Sequence, residues 1–458
     1  MSQSPPRQVS EIRAWLSLTI MVAVMLYAMM DRQVFTLVAA EMSKTLHLSN
    51  TQLGVLQGLD FAAFTFIAAY PIAWCADRFD RRWVLAACIS SWAVGTAACG
   101  LVSGFSALFV AFAVPAAAEV GVAPIFMSML PELFRGQARV TATMVYYIAV
   151  SLSVGAGLFL VGATISGVDT VKVLLPGLAH LENWRLAFLA AAAPFPIPLL
   201  IITFLPTGRA SRMAARLQTT AAPIRPFLRS NRKSVSLVLG GMIFFALGVT
   251  AILAWTPVSC TRIFGLNPAR VGKILGAVIA AASIAGITTG NFILRHYQRR
   301  LGFRAAPRVI WVTLMASLPL ISLIPFARAP WQVFTCVGIQ VFVATIAGAS
   351  SISLLLDLAP AEVRTRIIAF GAMTNGPAVG LGIAASAFLG DVIKAGPESL
   401  FWGGVCVSVP AWILCILCLR VAERPFEATA RESTGMQHPL DLPTDVARAG
   451  RSGFAVQE

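Results

Sequence analysis

The chain has 458 residues, 57% of them hydrophobic and only 12% charged. Soluble domains carry about twice that charged fraction, so a water-soluble globular protein is excluded and an all-α membrane protein is expected. The net charge of +15 does not point to nucleic acid, because the basic residues sit in short connections between apolar runs.

Arg7 and Arg13 precede the first apolar run, as they would in a signal peptide, and the small residues Ala39 and Ala40 follow it. The run is too long for a cleaved leader, however, and holds two adjacent charges, so it reads as an uncleaved first span. Crossing a bilayer takes about 20 residues at 1.5 Å each. Twelve stretches qualify, at about 14–39, 51–75, 83–102, 105–131, 138–166, 185–206, 234–258, 271–294, 307–326, 330–356, 365–390 and 399–420. With both ends inside, cytoplasmic segments hold 26 of the 35 Lys and Arg residues and external loops hold 8. Both termini are therefore expected in the cytoplasm, in a cell (inner) membrane. The linker 207–233 carries seven basic residues and no acid, and it divides the chain into bundles 14–206 and 234–420. Residues 1–13 form a short leading segment, and 421–458 read as a polar, disordered tail.

The charges inside spans carry the functional expectation. Asp31 and Arg32 lie within the first span, where each costs roughly 2.5–3.5 kcal/mol on insertion scales. Asp60 lies in the second span, and Glu119 lies in the fourth among Ala116, Ala117, Ala118 and Gly121. Such groups are kept where they face water, protein or cargo, so they mark a pathway. Neighbouring helical residues point about 100° apart, so Asp31 and Arg32 are expected to reach different partners. Desolvation and a nearby guanidinium act on a carboxyl in opposite senses, which lets proton occupancy follow conformation. Tyr27, Tyr146, Tyr147 and Asn375 are further candidate cavity groups.

The two halves are related at an offset of 225 residues: Glu132 falls on Asp357, Leu133 on Leu358, Arg139 on Arg364, Gly155 on Gly380 and Gly157 on Gly382. Parallel six-span repeats place a substrate site between the halves near the midplane. The glycines are expected to allow close helix packing and gating, with spans five and eleven meeting across the halves. The expected fold is thus twelve transmembrane helices in two pseudo-symmetric six-helix bundles.

Between spans two and three the chain reads Ala73-Trp74-Cys75-Ala76-Asp77-Arg78-Phe79-Asp80-Arg81-Arg82. This resembles the Gly-x-x-x-Asp-Arg-x-Gly-Arg-Arg loop signature of the major facilitator superfamily, departing from it at Ala73 and Asp80. An acid at a helix end beside arginines can latch neighbouring helices in one conformation. Asp77, Arg78, Arg81, Arg82, Glu132, Arg139, Asp357 and Arg364 are the latch candidates. The second-half loop keeps Gly290 but has Leu294 in place of the acid. Asp31-Arg32, Leu48–Gly54, Ala118–Gly121 and Asn183–Phe188 resemble the spinster-like branch of that superfamily. The resemblance implies that Asp31, Arg32 and Glu119 line a central cavity and take part in proton coupling, with lysolipid-like cargo. Span four has Phe112 where the superfamily commonly has arginine, which weakens an anion-binding role there.

The expected function is secondary active transport by alternating access, proton-coupled, of a small amphiphilic or organic-anion solute. A non-transporting receptor or scaffold is the alternative, with a lipid-modifying enzyme behind it. No Walker-type phosphate loop, no Gly-x-Ser-x-Gly and no His-Glu-x-x-His is present. The eight cysteines and four histidines show no metal spacing, so neither metal nor cofactor is expected. The expected partners are the lipid bilayer, protons and a small-molecule substrate, with no nucleic acid, and the protein is expected to be monomeric.

Overall fold

A computed structural model describes residues 10–174, 176–193, 196–205 and 224–434. Ten stretches are long and apolar enough to cross a membrane. One of them, Pro268–Phe326, holds two spans, and a further span is built from two shorter helices, which accounts for twelve crossings. We number these α1 (Glu11–Thr45), α2 (Asn50–Arg78), α3 (Arg81–Leu101), α4 (Phe105–Leu133), α5 (Gly136–Ser166) and α6 (Asn183–Ala191 with Pro196–Phe204). The second bundle comprises α7 (Arg232–Phe264), α8 (Pro268–Leu301), α9 (Ala305–Ser322), α10 (Pro330–Leu358), α11 (Ala361–Ile393) and α12 (Ser399–Thr434). An even number of antiparallel crossings puts both chain ends at one end of the molecule, here called the terminal end; the other is the distal end.

Two of the spans are irregular. In α2 the segment Val55–Asp60 is a π-helix, a wide turn that proteins use mainly at functional sites. In α4 the helix stops at Glu119 and restarts at Val122, with Pro115 in the preceding turn. A proline there leaves the carbonyl four residues back without its helical donor and loosens the helix.

The bundles meet through glycines. A Cβ on Gly155 of α5 would lie 2.7 Å from the Gly276 carbonyl oxygen of α8, and one on Gly380 of α11 would lie 2.6 Å from Ala62 Cβ of α2. The close approaches are thus α5 to α8 and α11 to α2, rather than the expected five to eleven. Symmetry explains the difference: a twofold that carries α5 onto α11 also carries α8 onto α2. Gly157 and Gly382 obey the same operation inside their own bundles, backing onto Met29 of α1 and Leu247 of α7.

Every cross-bundle hydrogen bond among the described residues lies at the distal end. Arg262 of α7 donates to Asn50 Oδ1 at 2.6 Å and to Ser43 Oγ at 3.0 Å. Asp391 at the end of α11 accepts from the Thr51 N–H and hydroxyl, both at 2.7 Å. A continuous buried apolar cluster crosses the same end, joining Leu37, Leu53 and Leu158 to Leu275, Ile279 and Ile383. The glycine approaches stop near mid-span, and Phe66, Tyr70, Tyr147, Phe370 and Met373 are exposed towards the terminal end. The structure is closed distally.

Residues 421–434, expected to belong to the tail, are helical. The α12 helix continues to Thr434 because its acids find partners: Glu423 accepts from Arg308 Nε at 3.0 Å and from Trp311 Nε1 at 2.7 Å, and Glu427 pairs with Arg304 and Arg431. Within the expected linker, residues 224–230 form a short helix and Arg232 already begins α7. Residues 1–9, most of 207–233 and 435–458 lie outside the described residues.

Candidate functional site

Asp31, Arg32, Asp60 and Glu119 line a single pocket of about 50 Å³ inside the first bundle. That is room for a few waters or a small polar group. Its walls come from α1, α2, α3, α4 and α6, and its apolar side is made by Phe35, Phe61, Phe112 and Phe188. Phe112, found where the superfamily commonly has arginine, stacks edge-on against both Phe35 and Phe188, with centroids 5.0 and 5.8 Å away.

The adjacent charges on α1 diverge, as helical geometry requires. Asp31 is 9% exposed, and its Oδ2 accepts from the Trp92 indole and, at 3.1 Å, from the Thr96 hydroxyl of α3. Its Oδ1 is buried with no hydrogen-bond partner. Arg32 turns the other way, its guanidinium lying 3.9 Å above the Phe61 ring centroid. A cation held on a ring face is worth about 1–2 kcal/mol when partly desolvated. Arg32 forms no ion pair among the described residues, although its field reaches Glu119, and that of Glu119 reaches Asp31. Arg32 and Glu119 are half-buried, so they form the more accessible side of the pocket.

The π-turn of α2 delivers the remaining polar groups. Asp60 is 1% exposed, and neither of its carboxyl oxygens has a hydrogen-bond partner. Gln57, one turn earlier, donates to Thr36 Oγ1 at 2.7 Å, while its own Oε1 is buried and unpartnered. Gly58 lies between them against the Gly380 carbonyl of α11, so this turn belongs to both the pocket and the bundle seam.

The other candidates fall elsewhere. Tyr27 is buried behind the pocket, stacked on Trp92 at 5.1 Å and donating to the Ala191 carbonyl at 2.8 Å, so it supports the wall. Tyr146 is buried, its hydroxyl has no hydrogen-bond partner, and its ring packs against the exposed Tyr147. Asn375 is exposed on α11. None of these four lines the pocket.

The latch candidates differ in their surroundings. Arg81 is buried and pairs with Glu132 at 2.9 Å, tying α3 to the end of α4. Arg82 pairs with Asp80 at 3.1 Å and donates to the Ile202 carbonyl. Asp80, a departure from the signature glycine, caps α3 by accepting the Arg82 N–H at 3.1 Å, a contact worth about 1 kcal/mol. Asp77 is exposed, with no hydrogen bond or ion pair among the described residues, and Arg78 rests over Trp74. Arg139 is exposed and Asp357 half-buried; the Arg364 side chain lies outside what is described.

Two stretches singled out in the sequence turn out to be structural. Ser49 and Gln52 form a capping box at the start of α2, which aims Asn50 and Thr51 at the distal clamp. Arg185 caps the end of α3, donating to the Gly100 and Val102 carbonyls at 3.2 and 2.8 Å. The clamp partners Arg262 and Asp391 carry no signal in the sequence, since both look like ordinary loop-flanking charges. Trp92 is equally silent; Gln57 and Thr96 are polar residues within apolar spans and could have been noticed.

The Major Facilitator Superfamily model matches residues 20–383. Protein spinster homolog 3 of Danio rerio is 26% identical over 333 residues, covering 68% of this chain and 63% of that protein. An MFS-type efflux pump of Mycolicibacterium smegmatis is 25% identical, covering 68% of each. Among solved structures, a bacterial homolog to the human lysosomal transporter spinster, inward-facing and unoccupied, superposes with a TM-score of 0.75 at 18% identity, covering 93% of this chain and 99% of that one. A D-xylose-proton symporter gives a TM-score of 0.62 at 15% identity, covering 89% and 97%. The apolar helices, the paired bundles and the family match agree: this chain is a multi-pass membrane protein that belongs to the Major Facilitator Superfamily and resembles its spinster-like branch.

Proposed function

We infer that this transporter couples movement of an amphiphilic solute to a proton gradient, with Asp31 and Glu119 as the proton-binding groups. The carrying observation is the meeting of three carboxyls and one guanidinium in a single pocket beside the bundle seam. Carboxyls at bilayer depth are costly, and a gradient-driven cycle gives them a use. Taken with termini in the cytoplasm, as the basic loops favour, the closed distal end corresponds to an inward-facing state, and the reading takes the protein as a monomer in the inner membrane.

The pocket lining disfavours a small organic anion, and at about 50 Å³ it would take only a small polar part of an amphiphile. Acids outnumber bases, the lone Arg32 already lies on Phe61, and Phe112 presents a ring to the pocket. Its aromatic side suits the apolar–polar junction of such a molecule, and the spinster resemblance points to lysolipid-like cargo.

Purified protein in proteoliposomes, given an inward- or outward-directed pH gradient and labelled lysolipids or organic anions, tests the reading. Gradient-dependent accumulation of a lysolipid is expected. Binding without flux would replace the reading with that of a receptor, and flux indifferent to pH would remove the proton.

A further inference from the structure

The polar atoms in the pocket that lack partners have one chemistry in common. Asp31 Oδ1, Gln57 Oε1 and both carboxyl oxygens of Asp60 are buried without a hydrogen-bond partner. All are acceptors; no orphaned donor lines the pocket among the described residues. Buried acceptors need a donor or a cation, and Arg32, the only positive side chain in the lining, is directed at Phe61. Asp60 and Gln57 sit on one wide turn of α2, with Asp31 facing the same space from α1. Thr96 adds a hydroxyl oxygen to the lining.

The geometry points to a sodium site at Asp60 and Gln57 in this pocket, completed by Asp31 Oδ1 when that carboxyl has given up its proton, so that sodium and the proton exchange at Asp31 while Glu119 binds the proton alone. Hard monovalent cations take carboxylate, amide and hydroxyl oxygens, which is the donor set present here. With Glu119 protonated, Asp31 and Asp60 against Arg32 leave the lining with a single excess negative charge, which one monovalent ion offsets. The site lies on the turn whose Gly58 packs on Gly380, so an ion bridging α2 to α1 stiffens the surface against which α11 closes. Sodium would then favour the distally closed state.

This inference rests on the pocket being the coupling site, so its test is made to fail separately. Thermal unfolding of the full-length protein in lipid nanodiscs is followed at fixed pH and ionic strength in sodium, potassium or choline chloride. A saturable rise in Tm specific to sodium is expected for wild type, lost in Asp60→Asn and reduced in Gln57→Leu. Gln57→Glu, which retains an oxygen ligand, should keep the response, so loss through misfolding is distinguishable. Equal Tm values in all three salts, or a sodium response that survives Asp60→Asn, would overturn the site. Gradient-driven uptake that persists in sodium-free buffer alongside equal Tm values would remove the ion and leave the proton-coupled reading standing.

Discussion

At the scale of single residues, the account turns on which charges have partners. Asp31 holds two donors on one oxygen and none on the other, while Glu119 lies at the break in α4. Replacing Asp31 with Asn or Glu119 with Gln keeps volume and removes the titrating group. Each is expected to cut gradient-driven uptake by about tenfold or more, with insertion and folding unchanged; proteoliposome flux beside size-exclusion profiles checks this. Trp92→Phe should leave Asp31 with Thr96 alone, a loss of about 1.5–3 kcal/mol for a bond to a charged acceptor, read as a lower Tm and reduced flux. Intramembrane acids are conspicuous in a sequence because each is an anomaly in an apolar run, and that is why Asp31, Arg32, Asp60 and Glu119 could be named and were found together. Tyr27, Tyr146, Tyr147 and Asn375 carried no such anomaly, and the helix faces that put them elsewhere depend on tertiary packing. Trp92 became visible only once α3 was placed against α1.

At the scale of elements, seams and caps set the conformational balance. The Gly58–Gly380 approach brings backbone against backbone, so any side chain there must push α2 from α11. Gly380→Val is expected to prop the distal end open, at a cost of about 1–3 kcal/mol as overpacking, and to abolish uptake. Spin labels at exposed Thr45 and Val392 should report a longer distal distance. The Arg262 clamp favours the same distally closed state: Arg262→Ala removes charge-assisted bonds to Asn50 and Ser43. Losing about 1.5–3 kcal/mol from one state is expected to raise the distal-open population about tenfold or more, measured with the same labels. Twelve spans and the 225-residue repeat were readable because hydropathy and glycine spacing are periodic. The pairing of α5 with α8 was not, since a repeat shows which helices are equivalent but not which ones touch. The π-turn in α2 was hidden too, because no residue type marks one extra backbone position.

At the scale of the whole molecule, two bundles meet at one seam, closed distally by glycine packing and the clamp, with the pocket beside it in the first bundle. Alternating access then needs the terminal end to close as the distal end opens, and we propose that Asp77, exposed at the terminal end of α2, engages when it does. The central claim is that buried carboxyls link the gradient to this exchange. Electron–electron distance measurements between spin labels at Thr45 and Val392, made across a pH series in nanodiscs, test it directly. The account predicts two distance populations whose ratio changes with pH in the wild type and is fixed in the Asp31→Asn, Glu119→Gln double variant. A ratio that follows pH identically in both proteins would contradict it.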